Sequence, residues 1–262
     1  MLANLTVLKP KCTFFSTSPY LAPAQHHKIT VEAIPILYQD THLVVINKPA
    51  GLPVHKTKGM RHDAPYVTQV LGKQLEGSVY NVHRLDAKTS GVLLLARSPE
   101  LAQQLTNQFA QRTVKKRYLA IVKGVPPASG TLDLPVKKAR KGKKAAAVTH
   151  FNLLDTLLTG QEHREETNQA ISLLALLPET GRWHQLRQHC SQQRYDIIGD
   201  SEHGDYGLNR LIAGLVGYKR LYLHAQRLVF THPISEQEIV AEATMPEVFD
   251  HLLQLFRRTG QY

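Results

Sequence analysis

Short apolar segments, each bounded by turn-forming residues, recur from residue 34 to residue 243 and constrain the fold more than any other feature of the chain. Runs this short, rich in β-branched and aromatic residues, are typical of strands. Residues 34–38 and 43–47 flank a short polar link and predict a hairpin. The other segments that we expect to form strands are residues 79–85, 91–96, 118–122, 148–154, 171–177, 221–223, 228–230 and 239–243.

Helix signals are fewer than strand signals. Ser98 followed by Pro99 predicts a helix start, and Leu101, Leu105 and Phe109 give that helix one buried face. The other expected helices follow a turn within residues 180–193 and a capping box at residues 244–247. No strand–helix–strand rhythm repeats along the chain. The sequence therefore predicts an α+β fold, with flanking helices on a mixed, mostly antiparallel sheet.

The formal net charge of +11 favours a nucleic-acid partner, because cations that bind phosphates release counterions. Two cysteines, Cys12 and Cys190, cannot form a disulfide framework, which indicates either a reducing compartment or indifference to redox conditions. We expect a cytoplasmic protein. No apolar run approaches the roughly 20 residues that span a bilayer. The charge and the cysteine content together favour a cytoplasmic, nucleic-acid-binding protein.

Two segments differ in composition from the rest of the chain. Residues 1–31 contain no Asp, Glu or Arg, and we expect a flexible N-terminal arm there. Residues 137–144 include six basic residues in eight positions, and we expect a mobile loop. A solvated surface run and a phosphate-binding arm are equally compatible with that loop.

Residues 83–91, His-Arg-Leu-Asp-Ala-Lys-Thr-Ser-Gly, place the carboxylate of Asp86 at a predicted strand end beside Arg84. Strand ends are where folds display reactive groups. The residues alone are only suggestive, because an Asp before Thr-Ser-Gly commonly bonds the backbone of its own turn. No Gly-x-Gly-x-x-Gly or Walker loop is present, which disfavours a nucleotide-cofactor enzyme.

This stretch resembles the catalytic motif of the RluA-type family of pseudouridine synthases: His-Arg-Leu-Asp, two variable residues, then Thr-Ser-Gly. Every fixed position matches. The other stretches that match this family, in order, are residues 47–55, 116–124, 180–189 with 197–200, and 223–233. The resemblance implies the fold of that family with a central catalytic cleft, in a catalytic domain over residues 32–262 that lacks an S4-type RNA-binding domain.

The resemblance also implies roles for single residues. Asp86 matches the essential aspartate, Arg187 the cation that pairs with it, and Tyr118 the ring that packs on the flipped uracil. Arg84 matches the arginine that fills the stack vacated by the base, and Leu186 matches an apolar residue of the pocket. The other residues that we expect to contact RNA are His83, Thr89, Lys116 and Arg117.

Physical chemistry supports these roles. A uracil must leave its stack before its glycosidic bond is accessible, and a planar guanidinium can fill the gap. A buried carboxylate resists ionisation unless a neighbouring cation restores it. Asp86 then either attacks C1′ or removes the C2′ proton, and neither route needs a metal or an organic cofactor. His83, His184 and His189 lack the spacing of a zinc site, and we expect them to form hydrogen bonds within the fold.

Within the family, the sequence resembles members that modify uridine 65 in the T-arm stem of tRNA. The resemblance rests on residues 38–40, the basic segment before residues 148–150, and residues 197–205 followed by Asn209 and Arg210. Ribosomal RNA is the alternative substrate. A non-catalytic RNA-binding or folding factor fits the charge but has no need of a carboxylate facing phosphates, and a metal-dependent nuclease needs several clustered carboxylates. We expect RNA as the partner, with no obligate protein partner and no membrane.

Overall fold

Strand-forming segments dominate the computed structural model, which describes residues 33–56, 59–158 and 170–259. The arm predicted over residues 1–31 lies outside the described residues. The strands are β1 (Ile36–Gln39), β2 (Leu43–Lys48), β3 (Tyr80–Asn81), β4 (Ser90–Ala96), β5 (Lys115–Lys123), β6 (Ser129–Leu132), β7 (Val136–Lys137), β8 (Lys144–Ala145), β9 (Thr149–Leu158), β10 (Ala170–Pro178), β11 (Leu223–Thr231) and β12 (Glu238–Glu242). The helices are α1 (Val67–Gln74), α2 (Pro99–Ala110), α3 (Gln185–Gln192), α4 (Tyr206–Val216) and α5 (Glu247–Thr259).

One large sheet contains all of these strands except β7 and β8, which form a separate hairpin. Its order is β1-β2-β4-β11-β5-β10-β9-β6, with β3 paired to β4 and β12 paired to β11. Neighbours run antiparallel except β4 and β11, which run parallel. The predicted α+β architecture with a mixed, mostly antiparallel sheet is therefore confirmed.

The parallel pairing is short and divides the sheet into two halves. Ser90 pairs with His224, and Gly91 pairs with Ala225. We call these four residues the central seam, the strands β1 to β4 the first half, and the remaining strands of the sheet the second half. Gly91 has a φ of 110°, and a Cβ there would collide with the carbonyl of Ala225. The seam therefore requires glycine at this position, since only glycine permits both the backbone angle and the close approach.

Helices cover both faces of each half. On one face, α1 packs on the first half around Leu71, and α3 packs on the second half around Leu186. On the other face, α2 covers the first half around Leu105, while α4 and α5 cover the second half around Phe249. Tyr118 contacts both the α1 and the α3 clusters. It therefore marks the interval between these two helices, on the face where the candidate site lies.

Several predicted elements form as expected. The first two strands form the predicted hairpin, and the Ser98 side chain accepts a hydrogen bond from the Leu101 N–H at the start of α2. The predicted strand over residues 79–85 is wrong beyond β3. There the ring of His83 accepts the Leu94 N–H at 3.0 Å, so a side chain takes the place of a backbone carbonyl and the ladder ends.

Two other predictions need correction. Residues 221–223 and 228–230 belong mainly to one strand, β11, because a bulge between Ala225 and Arg227 interrupts its alternation of side chains. The mobile loop predicted over residues 137–144 has ends that pair as β7 and β8. In the part of the chain that the structure describes, no helix is long and apolar enough to cross a bilayer.

Candidate active site

Asp86 lies in the loop that leads from β3 into the central seam, rather than at a strand end as predicted. In this loop the Thr89 N–H donates to the Asp86 carbonyl at 3.0 Å, which closes a turn. Thr89 is buried, whereas the side chain of Asp86 is 25% exposed. The turn thus holds a partly exposed carboxylate beside the seam, where both halves of the sheet can contribute groups to it.

Helix α3, on the second half, supplies the cation that faces this carboxylate. Arg187 is buried, and its Nη1 donates to Asp86 Oδ2 at 3.1 Å. Its Nε and Nη2 donate to the two carboxylate oxygens of buried Asp200, each at 2.7 Å, and Nη2 lies 3.4 Å from Glu202 Oε1. The predicted ion pair between Asp86 and Arg187 is present, and it joins the two halves of the sheet.

The opposite charges of Arg187 and Asp200 stabilise each other. Burial opposes the charged forms of Arg187 and Asp200, but their hydrogen bonds and mutual attraction outweigh it. The pKa of Arg187 is consequently raised, with a further contribution from Asp86, and the pKa of Asp200 is lowered. Arg187 therefore presents a permanent positive charge to Asp86.

Strand β5 places Tyr118 in the interval between α1 and α3. The ring is half-buried and packs against the clusters on both sides. Burial, and secondarily the charge of Asp86, raises the pKa of its phenol, so the hydroxyl stays neutral. Leu186 is buried in the α3 cluster that Tyr118 contacts. The structure places Asp86, Arg187, Tyr118 and Leu186 in one neighbourhood, and their catalytic roles stay predictions.

The two residues that begin the Asp86 motif lie in different environments. Arg84 is exposed on the Asp86 loop, two positions before the carboxylate. The ring of His83 stacks on Phe109 with centroids 4.6 Å apart and accepts the Leu94 N–H. Burial, with a smaller effect of nearby positive charge, lowers its pKa to about 3. His83 therefore contacts the first half of the sheet through a neutral ring, as an internal hydrogen-bonding residue.

The two basic residues before Tyr118 on β5 lie on opposite faces of the sheet, because successive strand residues alternate. Lys116 shares the face of Tyr118, and its Nζ donates to the Thr180 carbonyl at 3.3 Å. Burial is the larger cause, and Arg112 the smaller, of a pKa for Lys116 lowered to about 8. Arg117 is half-buried on the other face. Only Lys116 of this pair therefore points to the face that carries the candidate site.

Lys48 is a buried cation that the sequence did not assign to the site. It ends β2 with no exposed surface, and its Nζ donates to three backbone carbonyls. These acceptors are Pro49 at 2.8 Å, Leu52 at 2.9 Å and Ala87 at 3.0 Å. Ala87 follows Asp86 directly, and its carbonyl also accepts the Gly51 N–H at 2.7 Å. The turn after β2 therefore holds the Asp86 loop by its backbone.

His184 is the second residue that the sequence did not assign to the site. Its Nε2 lies 2.8 Å from Arg187 Nη1 and 3.5 Å from Asp86 Oδ2. The predicted internal hydrogen bonds of the histidines are present at His189, which contacts Thr149 Oγ1 and the Leu134 carbonyl. The sequence did contain a signal for His184. It lies three residues before Arg187 at the start of a predicted helix, and residues three apart on a helix are neighbours.

Residues 33–56, 59–158 and 170–259 contain no group of three or more His, Cys, Asp or Glu side chains arranged to hold a metal ion. A shallow, open depression lies along α4, lined by Gly207, Arg210, Leu211, Gly214 and Leu215. Asp86 is not part of this lining, so the candidate site is separate from this depression.

Comparison with known proteins shows the family of this chain. The RNA pseudouridylate synthase family matches residues 42–192. The tRNA pseudouridine synthase C of Pasteurella multocida is 41% identical, over 84% of this chain and 95% of that protein. The protein of the same name from Yersinia pestis is 39% identical, over 86% of this chain and 91% of that protein.

A solved structure extends the comparison to three dimensions. The human RNA pseudouridylate synthase domain containing 4 is 32% identical and superposes with a TM-score of 0.63, covering 85% of this chain and 93% of that one. The matched family segment contains Asp86, Tyr118 and Arg187, the residues that the fold brings together at the seam. The chain belongs to the RluA-type family of RNA pseudouridylate synthases and is an RNA pseudouridine synthase.

Proposed function

We propose that this enzyme converts uridine 65 in the T-arm stem of tRNA to pseudouridine, with Asp86 as the reacting group. One observation carries the proposal: a partly exposed carboxylate is held 3.1 Å from a buried guanidinium beside the seam of the sheet. The relatives named tRNA pseudouridine synthase C support the choice of tRNA over ribosomal RNA. The reaction takes place in the cytoplasm, where tRNA is modified.

The chemistry needs one anionic oxygen and no added reactant. The bond between N1 and C1′ breaks, the uracil rotates, and C5 bonds to C1′. The proton on C5 is lost and a proton returns to N1, so product and substrate are isomers. Asp86 begins this exchange by adding to C1′ or by removing the C2′ proton. Both routes require an ionised carboxylate, and the positive charge of Arg187 lies 3.1 Å from it.

The surroundings of Asp86 suit a flipped uracil. Tyr118 offers a flat ring with a neutral hydroxyl, and Leu186 adds an apolar wall. Extraction of a base from its stack costs a few kcal/mol, so the vacated space has to be filled. Arg84 is exposed on the same loop as Asp86, and its planar guanidinium can stack in that space. The Thr89 N–H closes the turn of that loop by donating to the Asp86 carbonyl.

The other residues in the proposed RNA-binding set are Lys116, Arg117 and His83. Lys116 shares the face of Tyr118, whereas Arg117 lies on the other face and the neutral ring of His83 packs on Phe109. Lys116 is therefore the member of this set whose positive charge faces the candidate site. The hairpin of β7 and β8 adds six exposed basic side chains over residues 137–144. Such groups bind phosphates without reading sequence, so they position tRNA but do not select the uridine.

The substitution Asp86→Asn tests the chemistry. Asn keeps the shape of the side chain and one oxygen for Arg187, but it removes the negative charge. We expect pseudouridine formation on tRNA transcripts to fall by at least about a hundredfold with little change in folding. Asp250→Asn, at an exposed position on α5, is the matched control and is expected to retain activity. A folded Asp86→Asn enzyme with normal turnover excludes Asp86 from the reaction.

The RNA substrate is tested in cells that lack the gene. Pseudouridine is mapped in total tRNA and ribosomal RNA, then again after complementation with the wild type or with Asp86→Asn. We expect loss at tRNA position 65, recovery with the wild type, and no recovery with the variant. A loss confined to ribosomal RNA assigns the enzyme to that substrate instead.

A further inference from the structure

Every N–H group of Arg187 has an acceptor. A guanidinium carries five such groups. Two point to the carboxylate of Asp200 at 2.7 Å, one to Glu202 at 3.4 Å and one to Asp86 at 3.1 Å. The fifth points to Nε2 of His184 at 2.8 Å. Three of the acceptor groups are carboxylates and one is a ring nitrogen. His184 is therefore the one member of this set whose acceptor atom is lost when a single proton binds.

The contact fixes where the proton of His184 sits. A guanidinium has no lone pair, so Nε2 of His184 has to accept and cannot itself carry a proton. The proton of the neutral ring is then on Nδ1, which lies 3.1 Å from Nε2 of His203 and donates to it. The tautomer follows from the donors and acceptors around the ring. His184 is therefore an acceptor toward Arg187 and a donor toward His203.

The backbone and the neighbouring rings hold His184 in this orientation. It caps α3 with φ 48° and ψ 28°, a left-handed conformation that is unfavourable for a residue with a side chain. Trp183 stacks on its ring with centroids 3.8 Å apart, and the ring of His203 meets it edge-on at 5.3 Å. The stacked and edge-on rings therefore fix the plane of the His184 imidazole.

We propose that neutral His184 is a positioning residue, which aims the Nη1 group of Arg187 at Asp86 and leaves the outer face of that carboxylate open to the nucleotide. This inference rests on the proposed role of Asp86. If Nε2 of His184 gained a proton, it would repel Nη1 of Arg187. It would then become a second donor, 3.5 Å from the oxygen of Asp86 that Arg187 already binds. Activity is therefore expected to fall when His184 is protonated.

The groups around the His184 ring set the pH at which the ring is protonated. Glu202 and Asp86 favour protonation of His184, whereas Arg187 and His203 oppose it. The largest influence is burial, and the net result is a lowered pKa for His184. His203, which also faces Asp200, has a lowered pKa for the same leading reason. The neutral form therefore persists below the usual imidazole range, and the loss of activity lies on the acid side of it.

Two substitutions separate the acceptor from the titration. His184→Gln places an amide oxygen near the position of Nε2 and cannot gain a proton in the working pH range, whereas His184→Leu removes the acceptor. kcat and KM are measured on tRNA from about pH 5 to about pH 8.5. At the alkaline end we expect kcat of the Leu variant to fall at least about tenfold with KM little changed, and the Gln variant to stay within about threefold of the wild type.

At the acid end the Gln variant should keep its kcat at pH values where that of the wild type declines. His251→Gln, at an exposed position on α5, is expected to decline with the wild type. Identical acid profiles for the wild type and His184→Gln overturn the proposal, as does undiminished kcat for a folded Leu variant. If the Leu variant does not fold, the profile of the Gln variant decides alone.

Nitrogen-15 chemical shifts of the His184 ring give a readout that does not involve turnover. At neutral pH we expect the form protonated on Nδ1, and the form protonated on Nε2 overturns the proposal. Activity of Asp86→Asn distinguishes the two proposals. An inactive Asp86→Asn enzyme beside unaffected His184 variants removes only the inference on His184, whereas an active one removes the role of Asp86 first.

Discussion

Two buried cations approach the Asp86 loop, one from each half of the sheet, and they are held in opposite ways. Arg187, on α3, binds carboxylates of Asp200 and Asp86. Lys48, at the end of β2, binds backbone carbonyls, including that of Ala87 next to Asp86. Both side chains are almost without exposed surface. The difference therefore lies in their partners and not in their burial.

The partners decide the charge that each cation can keep. Burial acts against both, but carboxylates reverse it for Arg187 and raise its pKa. At Lys48 burial dominates, Asp86 compensates only in part and Arg220 adds repulsion, so the pKa falls to about 7. We infer that Arg187 supplies charge to the reaction, whereas Lys48 supplies the shape of the loop.

The largest effect is expected from Arg187→Leu. The substitution leaves the charge of Asp200, 1% exposed, without its cation, which costs about 3–5 kcal/mol. It also removes the positive charge and the N–H donor that face the reacting oxygen of Asp86, so we expect turnover to fall by at least about a hundredfold. Urea unfolding measures the first effect and pseudouridine formation on tRNA measures the second.

A double substitution separates these two effects. Arg187→Leu/Asp200→Asn removes the buried charge of Asp200 together with its cation, and Asn can still accept the N–H groups of Glu202 and His203 that Asp200 now accepts. We expect most of the stability to return while turnover stays low. Recovery of turnover along with stability would contradict a role for Arg187 in supplying charge.

Lys48→Met is expected to have a smaller effect on turnover. Methionine fills a similar volume but leaves the carbonyls of Pro49, Leu52 and Ala87 without this donor. Unfolding free energy should fall by about 1–3 kcal/mol, and kcat should fall about tenfold because the Asp86 loop loosens. Lys73→Met, at an exposed position on α1, is the control. A drop in kcat as large as that of Arg187→Leu would mean that Lys48 also supplies charge.

The sequence predicted the role of Arg187 but not that of Lys48, and the reason is physical. The resemblance located Arg187 and its pairing with Asp86, because both lie in motifs of fixed spacing. Lys48 also lies in a matched stretch, yet a lysine beside a proline shows no sign of burial in the sequence. Its role depends on Ala87, which is far along the chain and meets Lys48 only when β2 pairs with β4.

The helices show in the same way which features a sequence pattern can predict and which it cannot. The helix α2 was predicted because Ser98 caps it and its apolar residues repeat along one face. The helix α4 was missed because apolar residues lie on both sides of it, with Ile212 buried and Leu211 and Leu215 exposed, which hides the periodicity. The left-handed backbone of His184 was likewise unpredictable, because only a few per cent of non-glycine residues adopt it.

The exposed cations of the β7–β8 hairpin can be compared with the buried cations Arg187 and Lys48. Replacement of Lys138, Arg140 and Lys141 by Gln removes three charges from the hairpin of β7 and β8 without altering the site. We expect KM for tRNA to rise severalfold and kcat to stay unchanged. The slope of log KM against log salt should weaken by about 2, at about 0.7 per phosphate contact. Equal slopes for the variant and the wild type would remove the hairpin from the RNA interface.

The last expected effect is a pH dependence of stability that belongs to Lys48 alone. Its pKa is about 7 in the folded protein and about 10.4 in an unfolded chain. Between these values the unfolded chain binds more protons at this group, so its contribution to stability rises with pH. The stability lost in Lys48→Met should therefore grow between about pH 6 and about pH 9, by roughly 2–3 kcal/mol, in urea unfolding. A loss that is constant with pH would show that Lys48 keeps its charge beside Asp86. The two buried cations would then differ in geometry and not in charge.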